Sequence, residues 1–261
     1  MQAAKIIDHI SGWLKNYIES TPLKGFVIGI SGGIDSAVTS TLAAKTGYPL
    51  LVLEMSIHQK EDQVARGREH IQWLKENFPN VTDLRLDLSE TFDVLSKEVK
   101  ADPKQPMAEL SLANTRSRLR MTTLYYYAGL HSYLVVGTGN KVEDFGVGFF
   151  TKYGDGGVDI SPIADLLKSD VFLLAKELGI VSSIQNAKPT DGLWKDDRSD
   201  EDQMGATYPE LEWAMEYLSK GKSENLSPRE EEVLKIYQKL NKATAHKVNP
   251  IPVCKIPDNL R

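Results

Sequence analysis

Apolar residues in the first twenty positions recur at helical spacing. Ile6, Ile7, Ile10, Trp13, Leu14, Tyr17 and Ile18 follow the i, i+3, i+4, i+7 rule, which predicts an amphipathic helix over 3–18. Thr21-Pro22 ends it. The pattern then changes. GFVIGI (25–30) is apolar without alternation and is bounded by glycines, as a strand buried on both faces would be. LLVLEM (50–55) and SYLVVGT (132–138) read the same way, and VTDLRLDL (81–88) alternates in part. Between these runs the chain reads as helix over 36–45, 60–77, 89–99 and 107–131. A glycine-rich loop follows over 139–162, then a helix over 168–178 and an irregular stretch. Residues 208–220 and 228–243 read as two further helices, and the tail 248–261 has three prolines and no helical pattern.

Strand and helix alternate. The fold class expected is α/β, a doubly wound, mostly parallel sheet with helices on both faces and extra helices at both ends. No linker divides the chain, so 1–261 is read as a single domain. In such sheets ligands bind beyond the carboxyl ends of the strands. Both SGGIDS (31–36) and Gly137-Thr138-Gly139-Asn140 fall at such ends, which puts two distant segments on one rim.

Composition narrows the classes. The chain has 261 residues, enough to bury a sizeable core, and a formal charge of −5. That charge gives no global pull toward nucleic acid, and no nucleic-acid partner is expected. No apolar run is long enough to span a bilayer, and the start lacks a signal-peptide core, so a cytoplasmic enzyme without membrane contact is expected. A lone Cys254 excludes an intramolecular disulfide and any CxxC site. The five histidines have no metal-site spacing, so zinc is not expected.

The strongest chemical signal is Gly29-Ile30-Ser31-Gly32-Gly33-Ile34-Asp35-Ser36. A strand feeding a glycine turn that opens a helix gathers backbone N–H groups around an anion, and the helix dipole adds to them. Ser31 and Ser36 add hydroxyls. The loop is not a Walker A motif, because it has no lysine. Asp35 in the first helical turn would repel phosphate unless a divalent cation lay between them. The plain alternative is a tight turn in which Asp35 only complements the helix dipole.

SGGIDS resembles the SGG-x-DS loop of the N-type ATP pyrophosphatases, which cleave ATP between its α and β phosphates and pass an adenylate to a nucleophile. Further blocks resemble one family within that group, the NAD synthetases. They are Asn114-Thr115-Arg116-Ser117-Arg118-Leu119-Arg120-Met121, Val136 to Glu143, and Phe150-Thr151-Lys152-Tyr153-Gly154-Asp155-Gly156-Gly157-Val158-Asp159. Lys168, Lys188-Pro189-Thr190 and His246-Lys247 follow in family order, so that the resemblance spans about 25–247. Two departures stand out. Ser117 takes the place of the usual alanine, and Glu143 to Lys152 is one residue longer than in many members.

The resemblance implies an adenine nucleotide alpha hydrolase-like fold and the ATP-dependent amidation of deamido-NAD to NAD, with release of AMP and pyrophosphate. It implies ATP contacts at Gly29 to Ser36, Thr138, Lys168 and Thr190, and Mg²⁺ held by Asp35 and Glu143. It implies deamido-NAD contacts at Arg118, Lys152, Asp159, His246 and Lys247. Lys168 would stabilise the departing pyrophosphate. Asp155 is added as a catalytic candidate, since an acid among three glycines can approach a reacting centre closely; a plain turn aspartate is the alternative. The three arginines at 116, 118 and 120 would otherwise read as a solvated charge run. The family also implies a homodimer, with the first helix and helix 107–131 as candidate contact faces.

The nitrogen donor is expected to be free ammonia. Glutamine-using members resemble fusions with a glutaminase domain whose nucleophile is cysteine, whereas only about 25 residues precede this loop and the lone cysteine lies at 254. A separate glutaminase partner is not indicated. An RNA-modifying pyrophosphatase is the rival reading, disfavoured by one cysteine and a negative charge. Trp194 to Asp202 is strongly polar, and 193–205 is either a solvated loop or a lid over the site.

Overall fold

The computed structural model describes residues 1–100, 102, 104–190, 199–221 and 225–261. Four strands form one parallel sheet: β1 (Gly25–Gly29), β2 (Leu50–Ser56), β3 (Val81–Asp87) and β4 (Tyr133–Val135). Their order is β3-β2-β1-β4. β1 pairs with β2 from Phe26↔Leu50 to Gly29↔Leu53, and with β4 from Gly25↔Tyr133 to Val27↔Val135. The chain thus builds outward from β1 to β3 and then returns to the other side of β1. The crevice between β1 and β4 is a topological switch point, the place where such sheets bind ligands.

Period-two alternation gives each face its own core. On one face Phe26, Ile28, Leu50 and Val52 meet α1 (Ala3–Glu19), α2 (Ile34–Ala44), α3 (Glu61–Asn77) and α6 (Lys168–Glu177) through Leu14, Leu42, Leu74 and Leu174. On the other face Val27, Leu51, Leu53 and Val135 lie under Leu124 and Ala128 of α5 (Ala108–His131), beside which α4 (Ser89–Glu98) packs. The expected helices on both faces are therefore present. α1 is more than an appendage, because Leu14 and Ile18 are fully enclosed. Truncating either to alanine should cost about 2–5 kcal/mol.

α7 (Ser182–Gln185) and α8 (Asp200–Met204) occupy part of the stretch read as irregular. α8 is short and is stopped by Gly205 at φ +79°. α9 (Tyr208–Lys220) and α10 (Pro228–Val248) enclose a separate cluster that includes Leu211, Ala214 and Val233. Each starts with a capping box, Thr207 with Glu210 and Ser227 with Glu230, which satisfies first-turn N–H groups. α10 runs five residues beyond the sequence estimate, carrying His246 and Lys247 on its last turn.

Two further differences lie at β4. The strand is three residues long, and Val136 continues it only as a bridge to Ile160. The loop that follows contains a π-helical turn, Lys141–Val147. π turns arise when one extra residue is accommodated inside a helix, and this segment is the one that reads as a residue long. Of the 193–205 lid candidate, residues up to 198 lie outside the described residues, and 199–205 hold α8.

Candidate active site at the strand ends

β1 hands the chain to the glycine turn. Gly32 adopts φ +81°, and a Cβ there would come within 2.5 Å of the Gln63 carbonyl on α3, so only glycine fits. Serine side chains brace the turn. Ser31 Oγ accepts the Gly33 N–H at 3.1 Å, and Ser36 Oγ donates to the Gly33 carbonyl at 3.0 Å while accepting from the Ser31 N–H at 3.3 Å. Ser36 therefore spends its hydroxyl on shaping the loop, where the sequence suggested a donor for the ligand. No side chain caps α2, whose first turn opens toward the ligand space. Gly29 to Ser36 line one cavity of about 620 Å³.

Across the switch point, Asn140 joins β4 to this loop. Its Oδ1 accepts the N–H groups of Val142 and Glu143, capping the π turn, and its Nδ2 donates to Asp35 Oδ1 at 3.1 Å. Lys168 Nζ lies between two carboxylates, 2.6 Å from Asp35 Oδ2 and 2.8 Å from Glu143 Oε1. Lys168 is 3% exposed, not the surface lysine its place at a helix start suggests. Tyr208 adds a hydroxyl bond to Glu143 Oε1 at 2.5 Å and another to Asp200 Oδ2 at 3.3 Å.

Burial works against the Lys168 charge, but Asp35 and Glu143 hold its pKa above the ordinary lysine value. Burial raises Asp35, with Glu143 adding to the rise and Lys168 opposing it. Burial also disfavours the Glu143 charge, yet Lys168, Tyr208 and Asn140 outweigh it and leave that group lowered. One lysine thus serves two acids, and the set is short of positive charge.

The Gly154-Asp155-Gly156-Gly157 turn faces the same cavity. Asp155 Oδ1 accepts from Ser117 Oγ at 2.6 Å and from the Thr151 N–H at 3.0 Å, while the Asp155 N–H donates to Ser117 Oγ at 2.8 Å. The serine that departs from the family pattern therefore holds this turn. Thr138, Thr190 and Lys247 also line the cavity. Lys247 donates to the carbonyls of Gly148 and Phe150 at 2.9 and 2.7 Å.

The other expected dinucleotide contacts lie outside that lining. Lys152 Nζ donates to the His246 carbonyl at 2.5 Å, and Arg118 Nε to the Lys152 carbonyl at 3.3 Å. They form a partly exposed rim beside Lys247. Asp159 is committed within the fold, accepting Tyr125 OH at 3.0 Å and the Val135 N–H at 2.8 Å. Sequence reasoning assigned no role to Asn140, Tyr208 or Arg120. Asn140 stands inside the block Val136 to Glu143, where an asparagine before a helical turn signals a cap; Tyr208 carries no local signal.

A cradle of main-chain N–H groups beside two buried acids suits a polyphosphate better than a lone anion. Fold and site together define an α/β enzyme that uses a nucleoside triphosphate. A family model described as NAD synthase matches residues 6–250. The NH(3)-dependent NAD(+) synthetase of Finegoldia magna is 40% identical over 227 residues, covering 87% of this chain and 90% of its own. The protein of the same name from Syntrophomonas wolfei is 36% identical over the whole of both chains. The solved NMN synthetase of Francisella tularensis is 31% identical, covers 99% of each chain and superposes with a TM-score of 0.83. The chain belongs to the NAD synthase family. It is a C–N bond-forming ligase with ATP as cosubstrate, and the family's reaction makes NAD.

Proposed function

We propose that Asp35 and Glu143 hold Mg²⁺ against the phosphates of ATP while Arg118, Lys152, His246 and Lys247 receive deamido-NAD. The observation that carries the reading is the acid–lysine–acid set beneath the glycine loop, facing the Asp155 turn across one cavity. The donor set suits the metal. Mg²⁺ takes hard oxygens and usually needs only one or two carboxylates beside phosphate and water. Among the described residues no group of three or more His, Cys, Asp or Glu is built to hold a metal alone, which fits an ion that arrives with ATP. Bound there, it would neutralise phosphate charge.

The reaction has two steps. The nicotinate carboxylate attacks the α-phosphate, the bond to the β-phosphate breaks, and pyrophosphate leaves with its electron pair. Ammonia then attacks the acyl carbon of the mixed anhydride, losing a proton as AMP departs. The loop N–H groups orient ATP, and Lys168 steadies the charge on pyrophosphate. Thr138 and Thr190 contact ATP from the cavity wall. Asp155, fixed by Ser117, presents its carboxylate where ammonium would lose its proton. Asp159 acts indirectly, through the β4 end it ties down.

Residues 1–261 act as one domain, and a homodimer belongs to the same reading. The contact face is α4 with α5, where Val94, Tyr126 and Leu130, with Val99 just past α4, are more than half exposed, while α1 buries Ile7, Ile10, Leu14 and Ile18 in the core. A cytoplasmic setting suits the exposed thiol of Cys254. The deciding assay follows pyrophosphate and amide product with deamido-NAD, using ammonium against glutamine as donor. Nicotinic acid mononucleotide, the deamido form of NMN, serves as a second acceptor because of the Francisella relative. Amide formation with ammonium and deamido-NAD is expected. Preference for the mononucleotide, or pyrophosphate release that requires RNA, would overturn the acceptor. Asp35→Ala should abolish pyrophosphate release yet leave the protein folded, since Glu143 still pairs with Lys168.

A further inference from the structure

We infer that Arg120, which stands in the block Asn114 to Met121 but has no role in the reaction above, is a catalytic residue that holds the α-phosphate as it becomes the adenylate. Its guanidinium reaches from α5 across the carboxyl end of β2, where Nε donates to the Met55 carbonyl at 2.9 Å. Its Nη2 is buried without any hydrogen-bond partner. Among the described residues no carboxylate pairs with it. Burying an unpaired charge is expensive, and structures retain one where a counter-charge arrives later.

Arg120 lines the cavity that also holds the glycine loop. Of the other cations there, Lys168 is held by two acids, Lys247 by two carbonyls and Arg66 by Asp62 at 3.0 Å, with only its buried Nε unpartnered. Lys188 stands exposed on the lining. Burial and the neighbouring Arg116 both disfavour the Arg120 charge, and Asp155, on the turn assigned to the acceptor side, offsets them only in part. The guanidinium therefore shares one cavity with the nucleotide cradle and the acceptor turn. The α-phosphate belongs in that cavity between cradle and turn, because the acceptor carboxylate attacks it while the loop holds the phosphates beyond. A guanidinium edge with free N–H donors matches two phosphoryl oxygens.

The inference rests on the proposed reaction and is tested on the full chain with ATP and deamido-NAD. Single-turnover pyrophosphate release, equilibrium ATP affinity and the thermal midpoint of the free protein are measured for wild type, Arg120→Met and Arg120→Lys. Removing one preorganised donor to a developing oxyanion slows a reaction about 100-fold or more. Both variants should show that loss, with ATP affinity changed by less than about threefold because the loop is intact. Arg120→Met should melt no lower than wild type, since it removes an uncompensated buried charge. Release within about threefold of wild type in either variant overturns the assignment. So does a lowered midpoint in Arg120→Met with normal release in Arg120→Lys, which would make Arg120 a strut to Met55. Wild type that is silent with deamido-NAD would instead sink the reaction itself, an outcome seen before any variant is compared.

Discussion

Two groups of cations serve this molecule in opposite ways. At the switch point Lys168 is enclosed, and its ammonium is shared between Asp35 and Glu143. On the rim Arg118 and Lys152 are bonded to main-chain carbonyls and, among the described residues, pair with no carboxylate. The first group is preorganised by charge and is expensive to disturb. The second is positioned by dipoles and is open to an incoming anion. Chemistry belongs where geometry is over-determined, and capture belongs where charge is left over.

The comparison is broken most severely at its centre. Lys168→Met leaves two like charges buried together, and urea denaturation should show a loss of about 3–5 kcal/mol with pyrophosphate release down at least about 100-fold. An unchanged denaturation midpoint would mean that the centre is no more constrained than the rim.

A buried group outside both regions calibrates that scale. His70 is fully enclosed, accepts or donates one bond with Ser40 Oγ at 3.0 Å, and stacks on Trp73. Burial pushes it from 6.5 to about 4. The unfolded chain therefore binds the extra proton first, so stability is intact above pH 6.5 and falls as the pH drops toward 4. The loss is about 3 kcal/mol by pH 4. His70→Gln should flatten that part of the stability–pH curve; a curve unaltered by the substitution would assign the slope elsewhere.

Tyr208→Phe tests the centre more gently. It deletes the bonds to Glu143 and Asp200 but spares the ion pairs. Mn²⁺ affinity in the presence of ATP should weaken about tenfold, with a well-formed fold by circular dichroism. No change in metal affinity would reduce Tyr208 to packing. Lys152→Ala on the rim should have the smallest effect, with stability within about 0.5 kcal/mol of wild type. The KM for deamido-NAD should rise about tenfold and kcat should hold. A fall in kcat at unchanged KM would move Lys152 from the rim to the centre.

The sheet is legible because β1, β2 and β4 are apolar on both faces, β3 alternates in part, and the helices carry long periodic stripes. β1, β2 and β3 were read to within a residue, and the glycine loop was found at the right strand end. The π turn was not legible as such, because an extra residue leaves no periodic trace. It was visible only as an unexplained lengthening after Glu143. Side-chain direction was the second thing hidden. Arg116, Arg118 and Arg120 look equivalent in the sequence, yet residues two apart on a helix face opposite ways. Arg116 lies over the Phe92 ring at 4.5 Å, Arg118 turns to the rim and Arg120 enters the cavity. Lys168 was identified by its block alone; its burial follows from partners 133 and 25 residues away, which no local pattern shows.

Those separations bear on how the molecule comes into being. The Asn140–Asp35 bond closes a span of 105 residues, and the Lys168–Asp35 pair a longer one. The glycine loop emerges early in synthesis, but its counter-charges arrive only after β4 and α6 have been made and docked. A partly synthesised chain holds the cradle and Asp35 without the Glu143 and Lys168 that complete the set. The full acid–lysine–acid set thus exists only in a chain whose β4 and α6 ends have docked beside the loop.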